Sequence, residues 1–329
     1  MSTASPSSID EIQPDPPVRY TLAGGRIGVA NVGSYVQTLV EAAFWLGAAP
    51  LAQRLLWRIG AHRASNCAAR WWARAVVRSL RLRIDWHGLE QIDYGESYVI
   101  TSLHEGFADA LALLQLPLPL RFAVRDELAE WRLLGGYLRD TGQVVIRPEA
   151  GMSAYRHLIC GAQRVFASGE SLVVFPQGSI LGIETDFHPG AFAVARALQR
   201  PILPIVLTGS HRVWEHPFSS RLRRGQQMSV HVLPPITVAE IRETETDELR
   251  RKVQHLLKAA ALDGAMAPPR RFVPARDGYW EDYAYEIDPA FPGLADDVAN
   301  YRADGNDLAV VAVSGASTGS KDDAQPMAN

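Results

Sequence analysis

From residue 82 onward, short apolar runs alternate with stretches of helical pattern, and this alternation limits the fold more than any other feature. The runs Leu172-Val173-Val174-Phe175 and Ile202-Leu203-Pro204-Ile205-Val206-Leu207 are apolar at every position. Strands covered by helices on both faces have this composition. The pattern predicts strands at 82–86, 97–102, 120–125, 143–147, 171–175, 202–207 and 228–233. It predicts helices at 107–115, 127–138, 151–168, 189–199 and 240–260. The expected fold is α/β, a mainly parallel sheet flanked by helices. Pro204 cannot donate to a ladder, so it predicts a bulge or a sheet edge at that point.

Ahead of this pattern, two helices are predicted at 32–48 and 50–80, divided at Gly47-Ala48-Ala49-Pro50. Arg70, Arg74 and Arg78 recur at i, i+4, i+8, with Trp72, Val76 and Leu80 as an apolar row beside them. An arginine face against a Trp/Leu face suits an amphipathic pair at a membrane surface, and equally a helix packed on its own domain. From Leu51 to Ile84 there are eight arginines and no acidic residue, while residues 240–329 carry 17 acidic against 10 basic residues. The net charge of −3 hides this asymmetry, which points to an anionic surface as one partner.

Residues 1–20 read as a disordered leader without the basic start and apolar core of a signal peptide. The remaining boundaries fall at 21–80 for the helical pair, 81–262 for the α/β domain, 263–303 for a Pro- and aromatic-rich irregular extension, and 304–329 for a polar tail. No uninterrupted apolar stretch reaches spanning length. Two cysteines, Cys67 and Cys160, make no disulfide framework, so a reducing compartment is expected. The basic residues cluster in the N-terminal helices rather than across one aromatic-bearing face, so no nucleic-acid partner is expected.

The chemistry concentrates in Thr101-Ser102-Leu103-His104-Glu105-Gly106-Phe107-Ala108-Asp109. A strand delivers His104, a turn follows, and Asp109 stands at the mouth of a helix. Asp109 can hold one imidazole nitrogen and leave the other to take a proton from a hydroxyl. Three more strand ends carry special residues: Phe175-Pro176-Gln177-Gly178-Ser179-Ile180, Gly142 to Arg147, and Pro204 to Gly209. In open α/β sheets the carboxyl ends of strands are where sites are built.

This order of motifs resembles the glycerolipid acyltransferase family of the lysophosphatidic acid acyltransferase type. His104 and Asp109 match its His-x4-Asp motif, and Gly142 with Arg147 matches its Gly-x4-Arg strand. Arg125 before Glu127-Leu128, Phe175-Pro176-Gln177-Gly178-Ser179, Phe187-His188-Pro189-Gly190-Ala191 and Pro204 match further motifs. The likeness covers about residues 80–235. It implies O-acylation of a lysolipid hydroxyl, 1-acyl-glycerol-3-phosphate by preference, in phospholipid biosynthesis. The donor would be acyl-CoA or acyl carrier protein, with no metal and no other cofactor. It implies His104 and Asp109 as the catalytic pair, and backbone N–H groups near Gly178 for the oxyanion. The acceptor would meet Arg125, Arg147, Gln177, Gly178 and Ser179. The protein would sit peripherally on the cytoplasmic membrane face, held by its N-terminal helices.

Gln177 stands where the family has glutamate, and Ile180 where it has arginine. An isoleucine cannot meet a phosphate, which leaves a phosphate-free acceptor as the alternative. Such acceptors include a lyso-aminolipid and a glycosylated or isoprenoid alcohol. A non-catalytic lipid-binding relative is the third reading. Gly315-Ala316-Ser317-Thr318-Gly319 has the spacing of a nucleophile elbow but lacks the helix that must follow it.

Overall fold

The computed structural model describes residues 32–130, 134–178, 180, 183, 186–214 and 222–269. The Gly315–Gly319 stretch, the leader and nearly all of the 263–303 extension lie outside the described residues.

The strands are β1 (Arg83–His87), β2 (Val99–Ser102), β3 (Leu120–Arg125), β4 (Val144–Ile146), β5 (Ser171–Val174), β6 (Ile202–Thr208) and β7 (Gln227–Val232). They form one sheet in the order β1-β7-β6-β2-β5-β3-β4. Every pairing is parallel except β6 with β7. All seven predicted strands are present, and the mainly parallel, helix-flanked sheet is the one expected.

Two cores explain why the central strands are apolar throughout. Leu172 and Val174 of β5, with Ile202 and Val206 of β6, face α6 (Met152–Ala167), α7 (Gly190–Leu198), α8 (Val238–Glu243) and α9 (Thr246–Ala261). Val173, Leu203 and Ile205 face the other way, against α2 (His62–Ser79) and α3 (Ala108–Leu113). Each such side chain contributes roughly 1.5–3 kcal/mol when fully buried, which commits the sheet to this sandwich.

Pro204 corrects an expectation. It lies in a central strand, paired at Thr101 of β2, with no edge beside it. The last β6–β7 pair is Ile205 with Val232, and the Pro204 carbonyl accepts from the Leu233 N–H at 3.0 Å. In an extended residue N and C=O point to the same side, so the missing donor falls just past the end of β7, where no ladder bond is lost.

The N-terminal pair also breaks elsewhere than predicted. Helix α1 (Val32–Arg58) runs through Pro50, and the turn comes at Gly60, whose φ of +77° favours glycine. On α2 the Val76–Leu80 row is buried in the domain and Trp72 is half-buried, while Arg74 and Arg78 are exposed. The Trp72 indole donates to the Trp45 carbonyl at 2.9 Å, tying the two helices together. Helix α1 is different: Val36, Leu39, Val40, Phe44, Leu51 and Leu55 are all exposed, as is Ile59 just past its end. Among the described residues, no helix is long and apolar enough to cross a membrane. Of the helix predicted at 127–138, the described residues show α4 (Asp126–Glu130) and α5 (Leu134–Asp140), and residues 131–133 lie outside them.

Candidate active site

The site stands at the carboxyl end of β2. That strand stops at Ser102, and α3 begins at Ala108, so Asp109 falls in the first turn of the helix. His104 Nδ1 lies 2.7 Å from Asp109 Oδ2. The same oxygen accepts the N–H groups of Glu105 at 2.7 Å and Gly106 at 3.0 Å. Asp109 is fully buried. Three donors converge on this one carboxylate oxygen and fix the imidazole, with Nδ1 as the donor and Nε2 left open. The ring lies on Phe175, centroids 4.0 Å apart and planes 15° from parallel. At Gly106 a Cβ would come within 2.9 Å of the Trp214 carbonyl, so a glycine is needed for that close approach.

Gln177 is buried, and its Oε1 accepts the His104 backbone N–H at 2.6 Å. It braces the histidine from behind. The Gly178 N–H, expected among the oxyanion donors, donates to the Phe175 carbonyl at 3.0 Å and closes the turn. Ser179 lies outside the described residues.

His104, Gly178, Ile180 and Arg125 line one large cavity of about 380 Å³, whose walls are mainly apolar. It runs under the α1–α2 hairpin past Trp45, Trp72 and Leu111. Arg125 is bound to Glu127 through two nitrogens, at 3.0 and 2.8 Å. Arg147 is not among the residues lining the cavity; 66% of its side chain is exposed, and its Nε lies 2.5 Å from Asp126. The structure thus brings Arg125 to the cavity and turns Arg147 outward.

Three residues were missed. Glu105 is buried, accepts the Gly209 N–H at 2.7 Å and lies 3.1 Å from His211 Nδ1. It fastens the loop after β2 to the loop after β6, and its only sequence signal was a carboxylate beside the key histidine. His188 packs against Gly178, whose Cβ position lies 3.1 Å from the ring. Burial, with the charges of Arg125 and Arg250, pushes the His188 imidazole below its ordinary range, so it is neutral at pH 7.

Residues 83–208 match the Acyltransferase family. These residues are an acyltransferase domain. A 1-acyl-sn-glycerol-3-phosphate acyltransferase of Bacillus subtilis (strain 168) is 24% identical over 137 residues, 41% of this chain and 67% of that protein. The 1-acyl-sn-glycerophosphate (LPA) acyltransferase PlsC from Thermotoga maritima shares the fold with a TM-score of 0.56 at 17% identity. That likeness covers 70% of this acyltransferase and 94% of PlsC. The match to the family spans the sheet from β1 to the end of β6, and it takes in His104, Asp109, Arg125, Arg147 and Gln177.

Proposed function

We propose that this acyltransferase moves a fatty acyl group from an acyl thioester, of coenzyme A or acyl carrier protein, to a lysolipid hydroxyl. The observation that carries the reading is the His104–Asp109 contact of 2.7 Å at the wall of an apolar cavity. His104 Nε2 takes the acceptor's hydroxyl proton as its oxygen attacks the thioester carbonyl. Asp109 stabilises the imidazolium that forms. The tetrahedral intermediate collapses, the carbon–sulfur bond breaks, and the thiolate takes the proton back from Nε2. The ester and the free thiol leave, and His104 is neutral again.

The names of the two relatives support 1-acyl-glycerol-3-phosphate as acceptor. A phosphate-free acceptor is the second reading, and three observations favour it. Ile180 occupies the cavity wall, Arg125 is already paired with Glu127, and Arg147 with Asp126. A phosphate dianion would have to compete with a carboxylate for each guanidinium.

The exposed apolar row of α1 supports peripheral docking on a membrane, with the exposed Arg63, Arg74 and Arg78 beside it for anionic headgroups. The test is transfer from labelled long-chain acyl-CoA to lysophosphatidic acid and to phosphate-free lysolipids and alcohols, comparing the parent protein with His104→Ala. Product that persists in the variant would overturn the mechanism. Product on phosphate-free acceptors alone would select the second reading.

A further inference from the structure

The apolar cavity that begins at His104 extends along β3 from Arg125 to Arg121, about 13 Å of strand. Arg121 is buried, and its Nη2 holds Glu170 at 2.6 Å and Asn66 at 3.0 Å. That space suits an acyl chain and leaves the charged part of a substrate without a place. A second cleft, also of about 380 Å³, lies between α1 and the segment that leads into β7. Leu222 is the one described residue that lines both. Gln37 and Glu41 of α1 line one side of the cleft, and Arg223 and Arg224 the other. The Leu222 N–H donates to Thr38 Oγ1 at 3.2 Å and joins the two sides. Glu41 takes the Gln37 amide at 2.9 Å and pairs with Arg224, whose Nη1 also donates to the Ser79 carbonyl at 3.1 Å. That pair is neutral. Arg223 is exposed, and its guanidinium has no acceptor among the described residues. The Gly225 N–H donates to the Leu80 carbonyl at 2.8 Å, which lays this turn against the end of α2. The next residue there, Arg81, is exposed and likewise without an acceptor among the described residues. Its φ of +52° is a conformation for which glycine is the unstrained choice, so the turn itself does not call for an arginine.

Two unpaired guanidiniums at a polar cleft suit a phosphate, which takes charge-assisted bonds from arginine. The acceptor's phosphate is badly matched to this place. In 1-acyl-glycerol-3-phosphate one methylene separates the hydroxyl-bearing carbon from the phosphate ester oxygen. A hydroxyl held at His104 therefore keeps its phosphate beside His104, which does not line the cleft. The donor is built differently: a whole pantetheine arm separates its thioester from its phosphate. We propose that this cleft receives the phosphate end of the acyl donor's pantetheine arm, with Arg223 and Arg81 as its cations. The arm would run from His104 past Leu222. Its phosphate is common to coenzyme A and acyl carrier protein. The proposal rests on the reading that the cavity holds the acyl chain and presents the thioester to His104.

The test compares palmitoyl-CoA, palmitoyl-acyl carrier protein and palmitoyl-pantetheine, which has no phosphate, with one acceptor in detergent micelles. The expected result is a kcat/KM for palmitoyl-CoA about tenfold above that for palmitoyl-pantetheine, a difference of about 1.4 kcal/mol carried by KM. In the double variant Arg81→Gln, Arg223→Gln the ratio should fall to near unity, and with lysine at both positions most of it should return. Both side chains are exposed, so the thermal midpoint should hold in each variant. An equal preference for the carrier-protein donor would assign the cleft to the phosphopantetheine phosphate, and a preference for palmitoyl-CoA alone to the phosphates of its nucleotide. Equal kcat/KM for the CoA and pantetheine donors overturns the proposal, as does a preference that survives the glutamine variant. A variant that instead loses its preference for lysophosphatidic acid over a phosphate-free lysolipid overturns it in favour of the acceptor. One that loses only binding to anionic vesicles overturns it in favour of the membrane. If no thioester is transferred to any acceptor, the acyl-transfer reading fails by itself. The ratio of coenzyme A to pantetheine affinity, measured by calorimetry on the parent and the glutamine variant, then decides the cleft.

Discussion

The cavity has a buried charged group at each end, and the two are built in opposite ways. His104 and Asp109 are five residues apart, on one loop and the helix it enters, and two of Asp109's three donors are backbone N–H groups of the same loop. Arg121 and Glu170 are 49 residues apart, and Asn66, which joins them, comes from the N-terminal hairpin. The first group is a local device that needs the sheet only as a platform. The second exists only once α2, β3 and the start of β5 have met. Losing the first should therefore cost activity and spare the fold, while losing the second should cost the fold.

The largest expected effect tests the first half. His104→Ala should lower kcat/KM by about 10²–10⁴, the range for a general base, with an unchanged thermal midpoint. A variant that unfolds would show that the dyad is structural after all. Asp109→Asn should lose activity on a similar scale, because the amide no longer favours the imidazolium, and a pH–rate profile would report the change. The second half is tested by Glu170→Leu, which leaves the Arg121 charge buried without its carboxylate. Urea denaturation should show about 3–5 kcal/mol of lost stability. A loss below about 1 kcal/mol would mean that the two ends do not differ as argued.

The hairpin supplies a sharper contrast within one element. Val40, Phe44 and Leu51 on α1 are 63%, 60% and 62% exposed, whereas Val76 and Val77 on α2 are buried. Replacing the three α1 residues by Ser should weaken binding to anionic vesicles at least tenfold, since each would contribute roughly 1.5–3 kcal/mol on burial in lipid. Stability in solution should move by only about 0.5 kcal/mol or less. Val76→Ser should do the reverse.

The smallest effect concerns pH. His188 has its folded-state pKa lowered from 6.5 by burial first and by Arg125 next. Below 6.5 the unfolded chain binds a proton that the folded chain refuses, so this residue removes stability as pH falls from 6.5 toward the depressed value. Above 6.5 it contributes no slope. His188→Gln should flatten the acid side of a stability-versus-pH curve, and a parent-like slope would show that other groups produce it.

What could be read from the sequence follows the same division. The central strands β2, β5 and β6 were legible because every position in them is buried, and the outer strands because short runs rich in apolar residues recur between helical stretches. His104 and Asp109 were legible because five residues of chain bring them together. Glu105 with His211, 106 residues away, and Arg121 with Glu170 were not, since nothing local marks a partner that topology supplies. The hairpin was half legible. Pro50 looked like a stop, but one absent N–H did not break α1, and the left-handed Gly60 did. Which face of the pair met solvent was decided by packing: α2 buries its apolar row, and α1 is left with the other. The family departures at Gln177 and Ile180 were visible as letters. The brace under His104, and the pairing of Arg125 and Arg147 with neighbouring carboxylates, required coordinates.

The α1–α2 hairpin roofs the cavity with Trp45 and Trp72 while its outer surface is oily. A protein resting on a lipid film by such a roof would meet its substrates as a two-dimensional solution. Their effective concentration would then be a mole fraction among lipids rather than a molarity. Diluting the substrate with inert lipid would slow the reaction at constant bulk concentration, and diluting the whole suspension with buffer would hardly matter once the roof is docked.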